Sequence, residues 1–401
     1  MQTTLAPAFK NSPEGQEADA ILRSCVHCGF CNATCPTYQL LGDELDGPRG
    51  RIYLIKQVLE GQPVTQKTQL HLDRCLTCRA CETTCPSGVR YGRLADLGRA
   101  IVEQRVKRPL LQRLIRRILR LTLPYPQRFR PLLRPAQWLR PLLPAALKRK
   151  IPAPQAPIGK WPNSQHTRRM LVLEGCVQTL ATPLTNHAAA RVMDKLGISL
   201  LRAPKAGCCG AVSQHLSAQD EALNFMRKNI DAWWSYVESG IEAIVITASG
   251  CGTVVKEYGH LLSHDPLYGE KAQRVSELAK DLSEVLVDED LTQLSRRAHR
   301  KVAFQSPCTL QHGQQITNYV ERILGAVGYS LTAVPNAHLC CGSAGTYSIL
   351  QPQLSQRLLS DKLQALESGH PDYIVSANIG CQLHLATRAA VPVRHWIELL
   401  D

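Results

Sequence analysis

The chain has 401 residues, a formal net charge of +14 at pH 7 and a hydrophobic fraction of 44%. This length predicts two or three domains, and the apolar content excludes a globally disordered chain. Because no run of about 18 uncharged apolar residues occurs, we expect no transmembrane helix. The 16 cysteines, in a chain without a signal-peptide pattern, indicate a reducing compartment in which thiolates bind metal.

The first predicted element is a helix over residues 14–24, which leads into a run of four cysteines. A second run has the same spacing. The two runs read Cys25-Val-His-Cys28-Gly-Phe-Cys31-Asn-Ala-Thr-Cys35-Pro36 and Cys75-Leu-Thr-Cys78-Arg-Ala-Cys81-Glu-Thr-Thr-Cys85-Pro86. Between them a helix over residues 47–61 is predicted from its apolar positions, which are Ile52, Leu54, Ile55, Val58 and Leu59.

The spacing of both runs, C-x2-C-x2-C-x3-C-P, is the bacterial pattern for a [4Fe–4S] cluster. In two-cluster ferredoxins the fourth cysteine of each run binds the cluster of the other run. We therefore predict two clusters with crossed ligands, one held by Cys25, Cys28, Cys31 and Cys85 and the other by Cys75, Cys78, Cys81 and Cys35. Zinc favours two separated C-x2-C pairs and disulfides suit a secreted chain, so both fit the duplicated runs less well.

Residues 105–169 are predicted to form a basic, proline-rich connector. It holds 17 Lys or Arg and no Asp or Glu, which exceeds the net charge of the whole chain. Its first part, residues 110–121, predicts an amphipathic helix that ends before Pro124. One face carries Leu111, Leu114, Ile115, Ile118 and Leu119, and on or beside the other lie Arg113, Arg116, Arg117 and Arg120.

A second basic and apolar patch of the connector surrounds Trp138, Leu139, Leu142 and Leu143. Such a segment suits an anionic membrane surface, an acidic partner subunit, or packing on its own domain with the arginines in water. A disordered linker is the remaining alternative. Because no nucleic-acid-binding module accompanies the charge, we expect no nucleic-acid partner.

From residue 170 onward, strand and helix patterns alternate and the sequence repeats itself. In each half a first cysteine is followed after 31 residues by Cys-Cys-Gly, and a fourth cysteine follows a later strand-like run. The sequence thus predicts an α + α/β architecture: a helical two-cluster ferredoxin domain (14–104), the connector, and two pseudo-symmetric α/β Cys-Cys-Gly repeats (170–297 and 298–401). The two cysteine sets are Cys176, Cys208, Cys209 and Cys251, then Cys308, Cys340, Cys341 and Cys381.

Each repeat thus brings four cysteines toward one place, and adjacent cysteines before a glycine suit a turn that presents both sulfurs to one metal centre. A further iron–sulfur centre, zinc, and no metal are the three alternatives, because buried free cysteine also behaves as a small hydrophobe. His312 and His384 follow Cys308 and Cys381 closely, so they are candidate ligands or proton-exchanging groups. Ordinary core or solvated histidines are the alternative.

Over nearly its full length the chain resembles the iron–sulfur subunits of glycolate oxidase (glycolate dehydrogenase). The resemblance rests on the two runs, the connector, the two Cys-Cys-Gly repeats and three stretches, which are residues 42–61, 247–252 and 339–346. The same architecture occurs in iron–sulfur subunits of anaerobic glycerol-3-phosphate dehydrogenase and in heterodisulfide reductase.

The resemblance implies an electron-transfer subunit in an oxidoreductase complex, with no catalytic residue of its own. Separate flavin-binding subunits would oxidise glycolate to glyoxylate, and this chain would pass the electrons to a quinone or another acceptor. No G-x-G-x-x-G fingerprint follows a strand, so the chain is not predicted to bind the flavin itself. The expected location is the cytoplasm, in peripheral contact with the inner membrane.

The chain departs from heterodisulfide reductases at two positions. There the repeat ends in C-x-x-C and holds noncubane clusters, whereas here Ala248 and Asn378 lie three residues before the last cysteines. Each repeat thus lacks one potential thiolate, which argues against noncubane clusters and disulfide-cleaving chemistry. A heterodisulfide-reductase-like catalytic subunit is kept as an alternative hypothesis. An iron–sulfur subunit of a glycerol-3-phosphate or lactate dehydrogenase is another, and a structural C-terminal half with zinc or no metal is a third.

Overall fold

The structure is a computed structural model, and it describes residues 1–144, 148–149, 151–155, 158–294 and 300–401. Up to residue 144 the elements are helical. The helices are Pro7–Lys10 (α1), Pro13–Ser24 (α2), Phe30–Ala33 (α3), Pro36–Leu41 (α4), Pro48–Leu59 (α5), Gln66–Asp73 (α6), Ala80–Thr83 (α7), Tyr91–Arg105 (α8), Leu110–Thr122 (α9) and Pro126–Leu139 (α10), with short 3-10 turns at Glu44–Asp46 and Arg140–Leu142. The predicted helices over 14–24 and 47–61 correspond to α2 and α5.

Local sequence signals explain where these two helices begin. The hydroxyl of Ser12 accepts a hydrogen bond from the Gly15 amide at 3.0 Å, and proline occupies the first turn of both α2 and α5. The buried side of α5 packs on α8, and Gly98 permits the close approach. A Cβ at Gly98 would lie 2.6 Å from Cγ1 of Ile55. The helical prediction for this part is therefore confirmed, and its core lies between α2, α5 and α8.

The C-terminal part contains two parallel four-stranded sheets with the orders β2-β1-β3-β4 and β6-β5-β7-β8. The strands are Arg168–Leu173 (β1), Ile198–Arg202 (β2), Ile244–Ile246 (β3), Ala279–Asp281 (β4), Lys301–Gln305 (β5), Ser330–Leu331 (β6), Tyr373–Ser376 (β7) and Val393–His395 (β8). The register aligns Leu171 with Ile244 in the first sheet and Val302 with Tyr373 in the second. The predicted pair of similar α/β repeats is confirmed.

Helices cover both sheets, so central strands such as β3 are fully buried and uniformly apolar. In the first repeat the helices are Gln178–Ala181, Leu184–Lys195, Ala211–His215, Gln219–Glu238, Ser249–Lys256, Tyr258–Leu261, Gly269–Leu278 and Leu282–Leu286, with a 3-10 turn at Leu291–Gln293. In the second they are Tyr319–Ala326, Tyr347–Leu350, Pro352–Glu367 and Ile379–Ala386, with a π-helical turn at Thr309–Gly313 and a 3-10 turn at Trp396–Leu399.

The two repeats share one hydrophobic core. Buried side chains of both sheets, among them Val172, Met193, Val302, Phe304 and Trp396, belong to a single cluster. The sequence did not predict this shared core. The predicted boundary at 297/298 lies outside the described residues, and the division into four domains stays a prediction.

The connector packs only in part as expected for simple packing on its own domain, because Leu119 is the one buried residue of the predicted apolar face of α9. In α9 the apolar residues Leu111, Leu114 and Ile118 are exposed, whereas Arg116 and Arg120 turn inward. Arg116 pairs with Asp73 at 3.2 Å, and Arg120 pairs with Glu221 at 2.9 Å. Within the described residues, no helix combines the length and apolarity needed to cross a membrane.

His395 joins the two repeats and gives the fold a pH dependence. It lies at the end of β8, its Nε2 donates to the Thr247 carbonyl at 2.8 Å, and its Nδ1 accepts from the Ile397 amide. Burial lowers the pKa of His395 to about 4, because the charged imidazolium is poorly solvated in the core. Between pH 6.5 and pH 4 the unfolded state therefore binds the extra proton, and this contribution to stability is lost as the pH falls.

We expect His395→Gln to destabilise the repeats less at pH 5 than at pH 7. The gap in unfolding free energy between parent and variant should narrow by about 2 kcal/mol, since only the parent loses the histidine contribution. Urea unfolding followed by tryptophan fluorescence measures the gap. The comparison with the variant cancels the opposite slope of Asp281, whose burial raises its pKa to about 6. An equal gap in unfolding free energy at both pH values would contradict the lowered pKa of His395.

Candidate metal centres

The eight cysteines of the two runs line two neighbouring cavities. The fourth cysteine of each run lies in the cavity of the other run, as crossed ligation requires. We name the cavity of Cys25, Cys28, Cys31 and Cys85 site 1, and the cavity of Cys35, Cys75, Cys78 and Cys81 site 2. Cys81 and Tyr91 line both cavities, so the two sites are adjacent.

The two runs fold in the same way because each uses left-handed backbone at matching positions. His27 and Thr77 have φ of 59° and 52°, and Gly29 and Arg79 have φ of 87° and 60°. These turns reverse the chain between successive cysteines, and a short helix follows each. Backbone amides then point at sulfur, as Thr77 N does at 3.4 Å from Cys75 Sγ. Four converging thiols with amide donors fit a [4Fe–4S] cluster, although the ligand assignment stays a prediction.

Site 2 lies deep among cationic and hydroxyl groups. Burial opposes ionisation of Cys75, but Arg99 and Arg51 overcome it and lower the pKa of this thiol. In contrast, burial and neighbouring thiols raise the pKa of Cys78 and Cys81 well above the ordinary value. A cationic centre that accepts thiolates would relieve this mutual repulsion, which is the physical reason for gathering such thiols.

A buried ion network supports site 2. The Arg51 side chain is 1% exposed, its Nη1 lies 3.9 Å from Cys35 Sγ, and its Nη2 lies 3.5 Å from Asp46 Oδ1. Asp46 also contacts Nη1 of Arg74 at 2.7 Å and Nδ1 of His71 at 3.0 Å. Sequence reasoning missed this network. The signal was present for Arg51, which shares the helical face of Ile55, Val58 and Leu59 and therefore had to be buried.

The first repeat gathers its four predicted cysteines at the carboxyl edge of its sheet. Cys176 follows β1 and Cys251 follows the adjacent strand β3, so the parallel register brings them together. Cys208 makes side-chain contacts with Cys176 and Cys209, and Cys209 with Cys251. Tyr125 of the connector and Phe225 pack over this cluster.

The second repeat gathers the equivalent cysteines beside site 2. Cys308 Sγ lies 3.9 Å from Cys340 Sγ, and side-chain contacts continue from Cys340 to Cys341 and on to Cys381. Cys308 and Cys340 pack against Leu76 and Cys78, and Cys78 is a site 2 cysteine. The first repeat has no such contact among the described residues.

A buried lysine distinguishes the second cysteine cluster from the first. Lys362 is 4% exposed and donates to the carbonyls of Asn336 and Ala337. Burial lowers its pKa, while the four cysteines act in the opposite sense. The corresponding position of the first repeat, 21 residues after the second cysteine of the pair, is Ile230. Sequence reasoning missed Lys362, whose burial depends on tertiary packing.

The two candidate histidines are engaged by protein groups. His312 Nε2 lies 3.0 Å from the His338 carbonyl, and its Nδ1 lies 2.9 Å from Thr83 Oγ1. His384 Nε2 lies 3.1 Å from Ser355 Oγ in a buried position. These contacts favour structural roles. At the departure from C-x-x-C, Asn378 donates to Cys381 Sγ at 3.5 Å.

Comparison with known proteins identifies the family. The 4Fe-4S dicluster domain family matches residues 21–89, and the cysteine-rich domain family matches residues 170–256 and 302–386. The glycolate oxidase iron-sulfur subunit of Escherichia coli (strain K12) is 58% identical over 401 residues, which is 100% of this chain and 98% of that protein. The chain belongs to the family of glycolate oxidase iron–sulfur subunits. The resemblance seen in the sequence is confirmed, and with it an electron-carrying role in an oxidoreductase complex.

More distant relatives extend the family. The probable glycolate oxidase iron-sulfur subunit of Bacillus subtilis (strain 168) is 31% identical over 396 residues, which is 91% of this chain and 88% of that protein. Lactate utilization protein A of Geobacillus kaustophilus is 25% identical over 233 residues, which is 56% of this chain and 95% of that protein. The match to this shorter protein therefore covers about half of the present chain.

Proposed function

We propose that this chain carries electrons from a flavin subunit that oxidises glycolate to glyoxylate toward a quinone or another acceptor. The observation that carries the proposal is the pair of adjacent cysteine-lined cavities, site 1 and site 2, in a chain that is 58% identical to a glycolate oxidase iron-sulfur subunit. Held by the eight thiolates, two [4Fe–4S] clusters would supply one-electron transfer.

Site 1 is the better place for electrons to arrive. Cys28 is exposed, and Val26 and Phe30 beside it are 69% and 63% exposed. Tyr53 adds a third exposed apolar side chain, with its ring 6.3 Å from His27. An exposed apolar patch around a buried redox site suits a transient protein partner, and we assign it to the flavin subunit.

A glycolate-reduction experiment tests this function. The anaerobically reconstituted chain is mixed with flavin-binding 2-hydroxy-acid oxidoreductase subunits and glycolate, and iron–sulfur absorbance is followed. We expect bleaching only when all three are present. Phe30→Gln should slow bleaching roughly tenfold, whereas Leu267→Gln, at an even more exposed apolar side chain in the first repeat, should leave the rate unchanged. Bleaching with lactate or glycerol 3-phosphate but not with glycolate would show that the chain serves another dehydrogenase.

The second repeat is the favoured location of a further iron–sulfur centre. Its cysteines adjoin Cys78 of site 2, and Lys362 places a buried positive charge beside thiols that would become anionic on metal binding. Such a centre would continue the relay from site 2. Metal analysis of the full chain tests it: iron beyond the content of sites 1 and 2 should be lost in Cys340→Ser and retained in Cys208→Ser. Loss in neither variant would leave the repeats as a structural module.

We further propose that α9 and α10 rest on an anionic membrane surface. The exposed apolar face of α9 is rimmed by the exposed Arg113 and Arg117, and α10 continues it with Leu132 and Trp138. Apolar insertion beside cationic side chains is the recognition mode of interfacial helices. This position would hold the chain close to a membrane quinone, in peripheral contact with the inner membrane.

Vesicle flotation tests the membrane contact. The parent chain should bind vesicles containing anionic lipid at low salt and detach as salt rises. Arg113→Gln with Arg117→Gln should weaken binding by roughly thirtyfold, since each basic residue contributes about 1 kcal/mol near such a surface. Arg274→Gln, at an exposed arginine of the first repeat, is the matched control. Equal binding by the double variant and the control would point to an acidic protein partner instead.

A further inference from the structure

Site 2 receives three hydrogen-bond donors or charges directed at its sulfurs. Tyr91 Oη donates to Cys75 Sγ at 3.5 Å, and Thr77 N donates to the same sulfur at 3.4 Å. Arg51 Nη1 lies 3.9 Å from Cys35 Sγ. Tyr91 and Arg51 are both buried, so water does not weaken these contacts.

Site 1 has weaker surroundings. Its sulfurs receive a backbone donor, Val89 N at 3.5 Å from Cys85 Sγ, and Cys28 is open to solvent. Arg49 lines the cavity, but its side chain is 35% exposed and pairs with Glu44 at 2.6 Å. Solvent and the carboxylate screen this charge, so it acts on site 1 much less than Arg51 acts on site 2.

The carboxylate that faces Arg51 does not cancel its charge. Asp46 is shared by Arg51, Arg74 and His71, and a further cation, Arg99, donates to the Cys75 carbonyl at 2.6 Å. Asp96 lies 3.9 Å from Arg99. Arg79 also lines site 2, but it pairs with Glu257 and lies beside Glu82, so its charge is matched. The donors directed at sulfur, rather than a net positive charge, therefore distinguish site 2 from site 1.

We propose that Arg51 and Tyr91 are positioning residues that make site 2 the more oxidising of the two sites. Reduction adds one electron to a thiolate-ligated centre, and positive charge or hydrogen bonds to sulfur stabilise the reduced form. One electron given to the chain would then leave site 1 and settle at site 2, next to the second repeat. This inference rests on the proposed cluster ligation and adds the direction of transfer.

Redox titration of the full reconstituted chain, followed by electron paramagnetic resonance, tests the order. We expect two one-electron steps. Tyr91→Phe removes one hydroxyl and should move the potential of the higher step to a more negative value. The equilibrium constant for reduction should fall by roughly three- to tenfold, where tenfold corresponds to about 59 mV. Tyr53→Phe, beside site 1, should move neither step. Cys28→Ser should move the lower step and so assign it to site 1.

Arg51 variants separate charge from shape. Arg51→Gln should make the potential of the higher step more negative. Arg51→Lys should restore part of that potential, because lysine keeps the charge without the planar contacts. If both Arg51 variants lose iron, Tyr91→Phe alone tests the proposal. A shift of the lower step in Tyr91→Phe, or of neither step, would overturn the proposal. Fewer than two steps in the parent chain would instead refute the two-cluster assignment itself.

Discussion

Changing Cys85 to alanine should remove the same iron–sulfur signal as changing Cys31 to alanine, although the two residues belong to different runs. Both line site 1, whereas Cys35 and Cys78 line site 2. Each variant should lose roughly four of the eight irons assigned to sites 1 and 2, since each site is expected to hold one [4Fe–4S] cluster. Iron analysis and electron paramagnetic resonance of the anaerobically reconstituted variants measure the grouping.

Matched variants in site 2 provide a decisive test of the crossed ligation. Cys35→Ala should group with Cys78→Ala, and the two groups should retain complementary spectra. If Cys85→Ala lost the same signal as Cys78→Ala, each run would bind its own cluster and the crossed arrangement would be wrong. Should an alanine variant lose both centres, serine variants would separate them, because the serine oxygen can replace a single sulfur.

Asp46→Ala should be among the most destabilising single changes outside the cysteines. The substitution leaves Arg51 charged and 1% exposed, with Arg74 and His71 also deprived of their shared partner. Removing one member of such a buried network costs about 3–5 kcal/mol. The urea midpoint for loss of iron–sulfur absorbance, together with circular dichroism, measures the cost.

Asp43→Ala provides the matched control for this loss. Asp43 is exposed three residues earlier and caps only the Leu45 amide, at 2.9 Å, so its removal should cost about 1 kcal/mol. Asp46→Asn should fall between the two, because the amide keeps the shape and loses the charge. Equal midpoints for Asp46→Ala and Asp43→Ala would show that the network contributes little.

The sequence predicted features set by local pattern. Cysteine spacing located the two runs, apolar periodicity located α5, and the repeated spacing of Cys-Cys-Gly located both α/β repeats. Each of these depends on residues close together in the chain, where backbone geometry alone restricts the outcome. Crossed placement of Cys35 and Cys85 followed from the duplicated spacing.

Other features required the tertiary structure. Lys362 is buried because distant segments surround it. Helical periodicity places Arg51 on the buried face of α5, but the sequence contains no signal for the partners that Arg51 meets there. The outward apolar face of α9 depends on Asp73 and Glu221, which capture two of its arginines from other parts of the fold. Helical periodicity identified the two faces of α9 but not which one meets the protein.

The most direct test of the relay is the metal content and magnetic spectrum of the full reconstituted chain. Adjacent sites 1 and 2 predict at least about eight irons and, on complete reduction, the spectrum of two interacting centres. Addition of a single electron should produce one isolated signal, which Tyr91→Phe perturbs. Fewer than about six irons, or one centre that titrates alone, would contradict the account.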